Sequence, residues 1–248
     1  MNNIKDTVTV ITGASSGIGA ESARYIASQG GIVVLIARNE QKLIKLADEI
    51  TAQGGRAVYM TADVSSADEM QHVQTFCREK YGKVDNLVNN AGLMLFSYWK
   101  DAVLADWNKM VDVNIKGYLN GIAAFLPGMV ENNSGTIVNM SSVVGMRTGE
   151  GAGVYSATKF FIAGMTESLR KEVGTKHNIQ VAMVSPGTID TGWADKVTDE
   201  NGSILAKEVN SQASIKSSAI ASAVVFILNQ EKGTSVNDIT VAPTSQNW

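Results

Sequence analysis

Thiols, imidazoles and long apolar runs are all scarce in this chain. Its 248 residues include one cysteine and two histidines. Cys77 has no second thiol to pair with, so an internal disulfide is excluded, and no metal cluster can be built around it. That usage suits a reducing, cytoplasmic setting. No stretch reaches about 18 consecutive apolar residues, and the N-terminal "MNNIKDTVTVITGASS" enters a β-rich run without a signal-like apolar region. Neither membrane insertion nor export is expected. Blocks of Lys and Arg are missing too, and a formal net charge of -3 gives no electrostatic reason to expect nucleic acid as a partner. Repeats, low-complexity tracts and linker-like shifts are absent, so the reading is one large domain over 1–248. His72 and His177 read as surface residues and Cys77 as a packed thiol.

What is present is alternation. Strand-like runs at 7–13, 32–37, 56–63, 84–92, 135–142, 179–187 and 236–243 are β-branched or nearly continuously apolar, as strands covered on both faces should be. Helical segments separate them. One carries Ile18, Ala23, Ile26 and Ala27 and stops at Gly30 and Gly31. The next, 40–53, is capped by Asn39, and a third runs from Ser66 to about Tyr81. Others follow at about 103–130, 154–175 and 216–229. This rhythm predicts right-handed βαβ crossovers and an α/β, doubly wound parallel sheet of about seven strands, helices on both faces, in the manner of a Rossmann fold. Residues 188–212 break the rhythm after a strand end and form a candidate lid.

Three local patterns carry chemistry. "TGASSGIG" (12–19) follows the first strand and opens a helix, and Gly13, Gly17 and Gly19 allow a pyrophosphate to approach the helix N-terminus. The spacing is G-x-x-x-G-x-G, and no Gly-Lys-Ser/Thr follows, which disfavours a P-loop. At the end of the second strand, "LIARNE" places Ala37 where an NAD-specific fold would carry an acid, with Arg38 next; a guanidinium pairs with a 2′-phosphate that a carboxylate would repel. NADP(H) is favoured over NAD(H). In "GVYSATKFF", Tyr155 and Lys159 are one helical turn apart on one face.

With "TGASSGIG", the stretches "NNAG" (89–92), "VN" (113–114), "SS" (141–142), "YSATK" (155–159) and "SPG" (185–187) occur in the order seen in the short-chain dehydrogenase/reductase family, which the chain resembles from about residue 5 to its end. The tail "NDITVAPTSQ" is similar, more loosely, to the clavulanate-dehydrogenase-like or serine-dehydrogenase-like branch. The resemblance implies that Tyr155 is the catalytic acid/base and that Lys159 assists it. Ser142, thirteen residues before the tyrosine, is selected over Ser141, and Asn114 completes a tetrad through a water relay to the lysine. It also implies cofactor contacts from Gly13, Ser15, Ser16, Gly17, Ile18 and Gly19, and from Arg38, Asn39, Asp63 and Val64. Asn90, Ala91, Gly92, Tyr155, Lys159, Pro186, Gly187, Ile189 and Thr191 complete that set.

The physics fits these roles. A free phenol has a pKa near about 10, an adjacent ammonium favours the phenolate, and a serine hydroxyl can donate to a substrate oxygen as charge develops. The expected activity is NADP(H)-dependent interconversion of a small-molecule ketone or aldehyde with its alcohol; the family's enoyl reductases space Tyr and Lys more widely. The alternatives are an NAD(H)-dependent alcohol dehydrogenase and a non-catalytic dinucleotide-sensing regulator, and the latter would have no need of the four chemical residues. A sugar-nucleotide epimerase would need a larger C-terminal portion. By resemblance the chain assembles as a homotetramer through the helices near 103–130 and 154–175 and the last strand. Leu93 to Phe96, Val143 to Arg147, Glu150 and Trp193 are the expected substrate lining, with Arg147 and Glu150 as its polar handles; packing roles are favoured for Met94, Met146 and Trp193.

Overall fold

A computed structural model describes residues 2–212 and 214–246. Positions 1, 213, 247 and 248 of the expected domain lie outside the described residues. Seven parallel strands form one sheet in the order β3-β2-β1-β4-β5-β6-β7. They are β1 (Val8–Thr12), β2 (Ile32–Ala37), β3 (Arg56–Thr61), β4 (Asn86–Asn89), β5 (Gly135–Met140), β6 (Ile179–Pro186) and β7 (Asp238–Val241). The helices are α1 (Gly17–Ser28), α2 (Glu40–Ala52), α3 (Ala67–Tyr81), α4 (Leu104–Val111), α5 (Gly117–Glu131), α6 (Gly153–His177), α7 (Glu200–Gln212) and α8 (Ser217–Leu228).

The strands are apolar on both faces because both faces are covered. Ile11, Val33 and Leu35 pack with Ile26, Leu43 and Val224 of α1, α2 and α8. Their alternating neighbours Val10, Val34 and Ile36 pack with Met70, Phe125 and Leu169 of α3, α5 and α6. A period of two thus feeds two cores from one strand. Asn39 and Ser66 cap α2 and α3 as expected, accepting from Lys42 N and Glu69 N. Cys77 is fully buried, and burial pushes its thiol up to about 12, so it behaves as a small apolar side chain. His72 is exposed and His177 half-buried.

Two segments differ from the sequence reading. The expected single helix over 103–130 is α4 and α5 joined by a π-helical turn, Asp112–Lys116. One inserted residue keeps the apolar period on either side and moves only its phase, by about 100°, so two segments with helical periods read as one run. The break at 188–212 is not irregular throughout: a 3₁₀ turn, Ala194–Lys196, leads into α7. Asp199 caps that helix through its bond from Gly202 N, 2.7 Å.

All strands run the same way, so every loop that follows a strand lies on one side of the sheet. The order reverses between β1 and β4, which opens a crevice at their carboxyl ends. Thr12 closes its floor: its hydroxyl accepts from Asn90 N at 2.9 Å and Ala91 N at 3.1 Å. Replacing Thr12 with Val keeps the shape and strands both amides. Thermal denaturation of Thr12→Val should show a loss of about 1–3 kcal/mol, roughly 2–4 °C in Tm for each kcal/mol. An unchanged Tm would mean that this hydroxyl does not hold the two loops together.

Candidate active site

The crevice is a cleft of about 440 Å³. Its first wall is the turn after β1. Gly13 and Gly17 have φ of 66° and 56°, a region that costs any side chain with a Cβ. At Gly19 the constraint is space, since a Cβ there would lie 2.5 Å from the Gly13 carbonyl oxygen. Ser16, at the N-cap of α1, makes no side-chain cap bond, and no acidic residue occupies the first turn. The helix therefore presents uncapped N–H groups and no negative charge to the cleft, a cradle that fits a pyrophosphate. Asn90 donates from its side chain to the carbonyls of Thr12 at 2.9 Å and Gly13 at 3.4 Å, which holds the turn in shape.

Arg38 stands at the mouth after β2 with its side chain 67% exposed, 3.7 Å from Asp63 after β3. Burial acts to raise Asp63, but bonds from Ser65 and the Arg38 guanidinium together hold it below the usual carboxylate range. Arg38 and Asp63 thus stand side by side at one end of the cleft. Ser15, Ser16, Ile18, Asn39, Val64, Ala91 and Gly92 also line it, as do Pro186, Gly187, Ile189 and Thr191. Gly19 and Asn114 sit behind the wall.

Ser142 follows β5, and Tyr155 and Lys159 lie in the first two turns of α6; all three line the cleft. Lys159 is 3% exposed and donates from Nζ to the Met140 carbonyl at 2.8 Å. Among the described residues no carboxylate offsets its burial, which brings it down to about 7. Tyr155 is half-buried, its ring centroid 5.6 Å from Lys159 Nζ. Burial pushes its phenol up to about 12, against the lowering effect of the Ser142 hydroxyl. The lowering expected from the ammonium is not what the phenol shows: burial outweighs the one opposing effect, the Ser142 hydroxyl.

Asn114, in the π turn, is fully buried. Its Oδ1 accepts from Leu93 N at 2.8 Å, and its Nδ2 donates to Leu93 O at 2.8 Å and Thr158 Oγ1 at 3.1 Å. Thr158 Oγ1 in turn donates to the Tyr155 carbonyl at 2.7 Å. The side chain ties the loop after β4 to the helix that carries Tyr155 and Lys159.

The remaining wall is mostly apolar: Met94, Phe96, Val143, Val144, Trp193 and Val209. Phe96 and Trp193 pack with ring centroids 5.2 Å apart, so Trp193 both packs and lines the cleft. Arg147 and Glu150 do not belong to the lining. Both are exposed in the loop after β5, and Met146 beside them is 48% exposed. Their places are taken by Lys196 and Gln246, whose Oε1 accepts from Thr188 N at 3.0 Å. Gln246 ends the tail stretch "NDITVAPTSQ" and Lys196 lies in the 188–212 segment, but nothing local marks either side chain as reaching the cleft; tertiary folding brings them there.

A short-chain dehydrogenase family model matches residues 7–202. An uncharacterized oxidoreductase of Listeria monocytogenes is 38% identical over 246 residues, covering 99% of each chain. Among solved structures, the closed form of a serine dehydrogenase complexed with NADP+ is 27% identical, with a TM-score of 0.89 over 98% of this chain and 97% of that one. A short-chain dehydrogenase/reductase from Burkholderia phymatum in complex with NAD is 26% identical, with a TM-score of 0.88 over 97% and 90%. Sequence, sheet order and cleft agree: the chain belongs to the short-chain dehydrogenase/reductase family of oxidoreductases.

Proposed function

We infer that the protein is a cytoplasmic, NADP(H)-dependent oxidoreductase that interconverts a ketone or aldehyde with its alcohol. The observation that carries this reading is the convergence of Ser142, Tyr155 and Lys159 in the same cleft as the glycine cradle and Arg38. When bound there, the nicotinamide cofactor supplies or accepts the hydride. Ser142 donates a hydrogen bond to the substrate oxygen. Tyr155, protonated at neutral pH, gives its proton to that oxygen as negative charge builds on it. Lys159 favours the resulting phenolate, and Asn114 keeps α6 and the loop after β4 in register. In the alcohol direction the phenol must lose its proton first. Residues 188–212 act as a lid in this reading, with Trp193 and Val209 facing the substrate.

For the cofactor, Ala37 leaves no acid at the ribose and Arg38 is free enough of burial to swing onto a 2′-phosphate. The serine dehydrogenase bound to NADP+ favours the same choice, while the NAD complex of the Burkholderia phymatum protein keeps NAD(H) as the second reading.

Assembly as a homotetramer is favoured by an exposed apolar groove between α5 and α6, where Leu119 is 44%, Phe160 47% and Phe161 36% exposed. Light scattering should give four times the chain mass at micromolar concentration, and Phe160→Glu should lower it; a monomeric wild type would refute this assembly.

Cofactor consumption across a panel of ketones, aldehydes and diketones tests the chemistry. Turnover should require NADPH and fall about 10²–10⁴-fold in Tyr155→Phe. Arg38→Ala should raise KM for NADPH by about tenfold or more and leave that for NADH unchanged. Reduction needs the protonated phenol and should decline as pH rises, whereas alcohol oxidation needs the phenolate and should rise. Full activity in Tyr155→Phe would sink the assignment; a preference for NADH would overturn only the role of Arg38.

A further inference from the structure

Tyr118 belongs to none of the family-like motifs, yet it lies against the reacting centre. It is the second residue of α5, four after Asn114 across the π turn, and 1% exposed. Its hydroxyl donates to the Met140 carbonyl at 2.8 Å. The same carbonyl accepts from Lys159 Nζ, also at 2.8 Å. Met140 is the last residue of β5, one position past the end of the β4 pairing at Asn139, so its carbonyl is left to side chains. A carbonyl oxygen has two lone pairs, and here two buried donors fill both. The Tyr118 ring also faces the ammonium, 5.5 Å from centroid to Nζ, nearly matching the 5.6 Å of Tyr155.

Lys159 is thus a buried cation held between two phenol rings over one carbonyl. Tyr155 on its own helix and Tyr118 on α5 are the titratable groups that face it. Gly92 after β4 borders the ammonium without a side chain, and Ser141 after β5 bonds the backbone carbonyl of Lys159. We propose that Tyr118 is a positioning residue of this centre, a second phenol that sets both the place and the charge of Lys159. Its hydroxyl anchors the Met140 carbonyl and draws off part of that carbonyl's accepting strength, while its ring face supports the ammonium. The consequence for catalysis rests on the assignment of Tyr155 as acid/base: a change at Tyr118 reaches the substrate only through Lys159.

The test does not require turnover. In protein labelled with ¹⁵N at lysine Nζ, the Lys159 resonance is identified by its loss in Lys159→Met and followed through a pH titration of the folded chain. Tyr118→Phe keeps the ring and releases the carbonyl to Lys159 alone, so the ammonium is favoured. Its titration midpoint should rise by about half a unit or more. Tyr118→Leu removes the ring as well, and its midpoint should fall below that of Tyr118→Phe. A midpoint in Tyr118→Phe equal to that of the wild type, or one that Tyr118→Leu leaves in place, would overturn the proposal and make Tyr118 a packing residue. The pH profile of alcohol oxidation then reports separately on Tyr155. Shifted midpoints in a protein that turns over no substrate would uphold Tyr118 and count against the catalytic reading.

Discussion

A buried ammonium with no carboxylate beside it among the described residues has to be stabilised by oriented dipoles and polarisable faces. At Lys159 these are the Met140 carbonyl, 2.8 Å away, and the rings of Tyr118 and Tyr155. The arrangement is possible because β5 ends where it does. One more residue paired to β4 would have committed that carbonyl to the sheet, and Lys159 would have no acceptor. The strand end also fixes Ser142, two residues on, and the backbone of α6 packs against it, with Ser141 Oγ donating to the Lys159 carbonyl at 3.3 Å. A Cβ on Gly145 would sit 2.7 Å from that same serine oxygen, which explains why the loop turns at glycine.

The other half of the cleft obeys a different constraint, the exposure of backbone N–H groups at its surface. Gly13, Gly17 and Gly19 meet it by removing side chains, and Thr12 and Asn90 meet it by bonding the turn to the loop after β4. Both halves depend on the parallel sheet, which delivers six successive loops to one edge. The cradle comes from the loop after β1, the charged mouth from those after β2 and β3, and Ser142, Tyr155 and Lys159 from the segment after β5. Fold and chemistry meet because parallel strands have one carboxyl side.

Much of this was legible in the sequence. Strand-like runs of six to nine residues between helical segments gave the seven strands, and glycine positions after the first strand gave the cradle. Tyr155 and Lys159 were visible because one helical turn is a fixed sequence distance. The π turn at Asn114 was hidden, since both flanking segments keep a helical period and only the phase between them changes. Tyr118 was hidden for another reason: its partner is a backbone carbonyl, and carbonyls have no letter in the sequence. Arg147 and Glu150 were misplaced because closeness along the chain to Ser142 was taken for closeness in space, whereas the loop after β5 carries both outward. Lys196 and Gln246 reach the cleft from segments that only tertiary folding brings there.

The central claim is that this cleft moves a hydride between a nicotinamide cofactor and a carbonyl carbon. The most direct measurement is mass spectrometry of the alcohol formed from a turned-over carbonyl with NADPH deuterated at C4, each face in turn. One of the two labelled forms should place a single deuterium on the carbinol carbon, and the other none. An alcohol without deuterium from either form, or label at a neighbouring carbon, would contradict the account.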